Sequence, residues 1–152
     1  MSETTAPVSA AASASATRAP AAAGRARAGR VALRTLTVLL ALFFGVASAT
    51  PKLIAHPSAV EAFDTIGWGS AAMYIIGALE LAGGIALLVP VLSGIAPVAL
   101  GALMVGAFVV QMTSFDGENA ATPLILIVPL ALLAWTRRDR NADLVRLVTR
   151  RG

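Results

Sequence analysis

Read for its apolar and polar positions, the chain falls into a polar arm, four long apolar blocks and a short basic tail. The blocks run from about 31–53, 71–89, 95–113 and 120–135. A helix needs roughly 20 predominantly apolar residues to cross about 30 Å of hydrocarbon. A soluble bundle shows polar residues on one side of each helix, whereas these blocks are apolar all round. The pattern predicts an all-α integral membrane four-helix bundle over 31–136. The last block is the shortest and holds Pro123 and Pro129. Pro123 suits a first turn, where its missing N–H costs nothing, and Pro129 predicts a kink that neighbouring helices can tolerate.

The arm, 1–30, is built from Ala, Ser, Thr, Pro, Gly and Arg. Without an apolar stripe to dock it, it is expected to be disordered and cytoplasmic. Between the first two blocks, Ser58 and Glu61 have capping-box spacing, and Val60, Phe63 and Ile66 recur at near-helical spacing before Gly67. A short interfacial helix is predicted over 59–66, with Trp68, Tyr74 and Trp135 as interface anchors.

Composition supports the membrane reading. Of the 152 residues, 57% are hydrophobic and 13% charged, against about 25% charged in soluble chains. Mean hydropathy is +0.79 and the pI is 11.1. The basic residues lie at the two ends, with no basic face interleaved with polar or aromatic contacts, so the pI does not indicate nucleic acid as a partner. The N-terminal stretch carries Arg18, Arg25, Arg27, Arg30 and Arg34; the tail, 137–152, carries Arg137, Arg138, Arg140, Arg146, Arg150 and Arg151. The loop between the third and fourth blocks holds Asp116 and Glu118 and no base. The positive-inside rule places both termini in the cytoplasm, and four spans return the chain to its starting side. A rival for the first block is a signal peptide cleaved after Ala47-Ser48-Ala49. Its apolar stretch is longer than usual for that role, and cleavage would leave the two basic ends on opposite sides.

The candidate chemistry is sparse. There is no cysteine and one histidine, His56. Thiol relays, disulfides and multi-histidine metal sites are therefore excluded within this chain, and no metal is expected. Glu80 lies nine residues past Ala71, roughly 13 Å into the bilayer. A charge there costs several kcal/mol unless paired, hydrated or neutralised. Its helix-surface neighbours are Gly77, Gly83 and Gly84, and small residues let another helix approach. Gly45, Ser48 and Lys52 share a face of the first block, so Lys52 is the candidate partner. Ser48, Gly77, Gly84 and Gln111 are candidate lining of a polar pocket, which Thr113 and Ser114 could complete. Ala102 and Gly106 form a small-xxx-small pair in the third block. Plainer roles stand beside these: a protonated Glu80 serving packing alone, Lys52 snorkelling to headgroups, His56 as an ordinary loop residue, Gln111 facing water at its helix end.

The segments GVASATPKL at 45–53 and Val60, Phe63, Ile66 and Gly67 resemble stretches of DoxX-like membrane proteins. So does G-x-x-E-x-x-G at 77–83, followed by Gly84, Leu87, Leu88 and Pro90. The resemblance covers about 30–138. It implies a four-helix integral membrane protein of the bacterial or archaeal cell membrane, associated with redox complexes and in one case with thiosulfate oxidation using quinone. Lys52 and Glu80 are the positions that match. The absence of cysteine leaves this chain no thiol with which to handle sulfur itself.

Three functions follow as expectations. The first is an accessory subunit of a quinone-linked redox system, with Lys52 and Glu80 at the polar end of a pocket, a quinone as its cofactor and a membrane redox protein as its partner. The second is a non-enzymatic scaffold or assembly factor, with Glu80 fixing helix register. The third is small-solute transport, for which four spans without an inverted repeat are few.

Overall fold

The structure, a computed structural model, describes the backbone of residues 9–138 and the side chains of residues 24–138. Residues 1–8 of the predicted arm and 139–152 of the basic tail lie outside the described residues. Two units divide the chain at Thr35 and Leu36.

The first unit is helical from Ser9, the start of α1, Ser9–Leu42. This corrects the expectation of a disordered arm over 9–30. The physical reason is backbone propensity. Alanine is the strongest helix former, and the apolar block that follows supplies a helical nucleus from which an alanine-rich stretch can propagate at little cost. The described side chains of 24–32 are exposed.

The second unit contains the rest of the helices. The first apolar block is not one regular helix: a π-helical segment, Phe43–Ser48, links α1 to α2, Ala49–Leu53. Pro51 explains the irregularity. It has no N–H to give to the carbonyl of Ala47, and its ring crowds that carbonyl. The chain widens just upstream, where the Ala49 N–H bonds back to the Phe44 carbonyl, and the Thr50 hydroxyl donates to the carbonyl of Gly45 at 3.4 Å. Phe44 and Ala49, five residues apart, are both fully buried.

After a turn at Ala55 (φ 53°) comes α3, Pro57–Thr65. It starts two residues before its predicted position. The cap is His56, whose Nδ1 accepts from the Ser58 N–H, rather than Ser58 itself. Pro57 takes the first helical position, where its fixed φ is favourable. Gly67 ends the helix as predicted. At φ +72° it closes a Schellman motif, with the Trp68 N–H on the Phe63 carbonyl and the Phe63 and Trp68 rings 6.5 Å apart.

The remaining helices are α4, Gly69–Leu88; α5, Ala96–Ser114; and α6, Ala121–Thr136. Each boundary falls within two residues of its predicted position. Pro123 stands in the first turn of α6, and Pro129 lies inside the helix. The helix containing 24–53, α4 and α5 are long and apolar enough to cross a membrane, while α6 is a shorter apolar helix of 16 residues. Large apolar side chains such as Val46, Ile75, Leu79, Ile85, Val105, Ile125 and Val128 stand exposed. An aqueous surface does not carry so much apolar area, and lipid requires it. The helices are those of a membrane protein.

α4 is the central element, in contact with the π-helical segment, α2, α3 and α5, while α5 packs on α6. Glycines set its distances. A Cβ on Gly84 would stand 3.0 Å from the Ala41 carbonyl oxygen and 3.1 Å from the Gly45 nitrogen. At Gly83 it would meet Leu100 of α5. By contrast, Gly101 and Gly106 have open space around the Cβ position.

At the end of the bundle away from α3, Arg137 joins three elements. Its Nη1 donates to the Ser93 carbonyl at 3.1 Å and its Nη2 to the Thr37 hydroxyl. Thr37 and Ser93 are both buried. Two residues before it, Trp135 carries the Arg138 guanidinium over its ring at 5.2 Å.

The glycine contacts predict opposite outcomes for similar substitutions. Gly84→Leu drives a side chain into the backbone of α1 and is expected to cost about 2 kcal/mol or more. Gly106→Ala meets nothing and is expected to be neutral or to stabilise by up to about 1 kcal/mol through helix propensity. Thermal unfolding in detergent, followed by circular dichroism, measures both.

Candidate functional site

Glu80 sits on the face of α4 that turns towards α2, with Gly77 three residues before it and Gly84 four after. It is 4% exposed. Lys52, at the end of α2, reaches it directly: Nζ donates to Glu80 Oε2 at 2.8 Å. The same ammonium donates to the Ser48 carbonyl at 2.9 Å and to the Ser48 hydroxyl at 3.3 Å. The two charges thus neutralise each other inside an apolar bundle, and each N–H of the ammonium has an acceptor. That arrangement is what a charge at this depth requires.

Local structure aims the lysine. In a regular helix Gly45, Ser48 and Lys52 would all face the neighbouring helix. The π-helical turn shifts the buried stripe from Phe44 to Ala49 and turns Ser48 and Lys52 towards its edge. Close approach does the rest. A Cβ on Gly77 would lie 2.9 Å from Lys52 Cβ and 3.2 Å from Leu53 Cγ, so only glycine there lets α2 come near enough for the side chain to span to Glu80.

The pair borders a cleft of about 660 Å³, a size suited to a small organic molecule. Phe43, Ala47 and Pro51 form one wall, Phe63 and Trp68 another, and Ala102, Gly106 and Ala107 of α5 a third. The small residues of α5 leave the space open. The Ala102 and Gly106 pair, expected to bring a helix close, borders the cleft instead. Ser48 and Gln111 line the cleft, as do Lys52 and Glu80. Gly77 and Gly84 do not; they are spent on the contact between α4 and the first helix, where they leave no surface to a cavity. Thr113, expected to complete the polar pocket, bonds its own helix at the Val109 carbonyl.

Gln111 is the least satisfied group here. Its Oε1 is buried and has no hydrogen-bond partner, although its backbone carbonyl accepts from the Phe115 and Gly117 N–H groups. The sequence marks it only as a polar residue at a helix end. Asn119 and Thr122 also border the cleft and carry no sequence signal that distinguishes them. His56 stays outside it, occupied with Ser58, whose hydroxyl lies 2.9 Å from Nδ1. No cluster of metal-binding side chains occurs among the described residues.

The ion pair gives a double-substitution prediction. Lys52→Met leaves Glu80 buried without its counter-charge and is expected to cost about 3 kcal/mol or more. Adding Glu80→Met to it removes the second charge as well, and most of that loss should return. Unfolding titrations of wild type, both single variants and the double variant in the same detergent test the coupling.

Compared with known proteins, residues 35–134 match the model of the DoxX-like family. No curated protein and no solved structure matches the chain. The matched stretch contains Lys52, Glu80 and the cleft between them and α5, and the chain belongs to the DoxX-like family.

Proposed function

We propose that this protein is a small accessory subunit of a quinone-linked redox system in the bacterial cell membrane. It holds a quinone-like molecule between its helices, with Lys52 and Glu80 at the polar end. The observation that carries this is the cleft of about 660 Å³, apolar along its walls and bordered by the ion pair of the buried Glu80 with the half-buried Lys52. Quinone chemistry couples electrons to protons, and the site sets a carboxylate and an ammonium beside the apolar cleft. α6 serves as a fourth span with both termini cytoplasmic, in keeping with the arginines at the two ends. At 16 residues, roughly 24 Å long, it is short for the bilayer, a mismatch that thinning or snorkelling of Arg137 and Arg138 accommodates. Catalysis is assigned to a partner protein.

A second reading is favoured by a different observation. The ammonium of Lys52 has an acceptor for every N–H, and the glycines beside Glu80 serve packing alone. A scaffold whose ion pair fixes the register of α2 against α4 needs no more than that.

Purification of the full chain in mild detergent, with extraction and profiling of retained lipids, separates the two. The expected result is a quinone or related isoprenoid in near-stoichiometric amount, together with a co-purifying oxidoreductase. Gly106→Leu, which fills the cleft where no atom stands within 4 Å of the added Cβ, should lower the retained quinone at least tenfold while the protein stays folded. Retention of no isoprenoid by the wild type would exclude the redox reading and leave the scaffold.

A further inference from the structure

The hydrogen-bonding capacity left over inside the cleft points to the kind of molecule that fits it. An ammonium has three N–H donors. Those of Lys52 have three acceptors in reach, Glu80 Oε2, the Ser48 carbonyl and the Ser48 hydroxyl. The strongest donor at the cleft is therefore already committed within the protein.

Among the described residues, one buried side-chain polar atom is left without a partner, and it is an acceptor. Gln111 Oε1 is buried without a partner on a helix that faces the same space. The hydroxyls of Ser48 and Thr122 and the amide of Asn119 can serve either way, and the Trp68 indole and the Gln111 amide N–H groups can donate, but none of these is a buried atom without a partner. A buried acceptor left unmatched carries a desolvation cost of about 1–3 kcal/mol. A ligand bearing a hydroxyl removes that cost, and one bearing only carbonyl or ether oxygens does not.

We propose that the cleft selects a lipid-soluble molecule carrying a hydrogen-bond donor, a phenolic or alcoholic hydroxyl, which it gives to Gln111 Oε1. The selection rests on the quinone-binding reading in one respect: of a quinone couple, it favours the reduced, dihydroxy form over the dione. It needs no redox step, because it is a preference in binding.

The test uses two redox-inert probes of nearly the same shape, 4-hexylphenol and 4-hexylanisole, which differ in one donor. Binding is measured by calorimetry on the full chain in lipid nanodiscs, with empty nanodiscs subtracted. A short-chain quinone is measured alongside. The expected result is phenol binding on the order of tenfold tighter than anisole, with the ratio falling towards one in Gln111→Leu. Phenol and anisole binding equally, or anisole more tightly, overturns the inference, as does binding of neither. In each of those cases, saturable quinone binding that Gly106→Leu abolishes would leave the proposed redox role standing. If Gln111→Leu does not fold, the phenol-to-anisole ratio of the wild type decides alone.

Discussion

A carboxylate in the middle of an apolar helix forces the rest of this bundle into place. Glu80 is 4% exposed, and a charge so buried has to be met by another within hydrogen-bond reach. That single requirement draws α2 against α4. It makes glycine necessary at 77, where Lys52 and Leu53 pass, and at 84, where the backbone of Ala41 and Gly45 lies against the helix. The packing of the first helix on α4 and the neutralisation of Glu80 are the same arrangement seen at two scales.

The cleft follows from the opposite choice on the other side. α5 also carries small residues, but nothing closes on Ala102, Gly106 and Ala107, and the space they leave joins the polar edge made by Ser48 and Lys52. Small residues thus do two unrelated jobs in one fold. On α4 they remove volume so that helices touch; on α5 they remove volume so that something else can enter. Across the bundle, Arg137 ties the Ser93 carbonyl and the Thr37 hydroxyl together, so the end remote from the cleft is held by its own polar contacts.

Much of this was legible in the residues. The later three apolar blocks match α4, α5 and α6 within two residues, because a run that is apolar on every side has few ways to end, whereas the first block neither begins at its predicted position nor stays a regular helix. Lys52 is legible as the partner of Glu80 because a buried acid needs a base and few bases are within range. The glycines on α4 and α5 read alike, since composition does not say whether a partner fills the gap. His56 was hidden as a cap because capping by an imidazole depends on Pro57 having taken the first helical position. Arg137 looked like one of several tail arginines, and only the fold brings Thr37 and Ser93 to it. The alanine-rich stretch from Ser9 lacks a docking face, but its backbone propensity is the stronger influence.

The π-helical turn has a consequence for how the lysine is aimed. From Phe44 to Ala49 the buried stripe advances by five residues, one more than the usual longest step within an α-helix. Downstream of it, the helix runs out of phase with its own beginning by one residue. The direction of Lys52 is therefore a matter of counting. The number of residues in the turn sets that direction, because a single deletion would swing everything after it by about 100°.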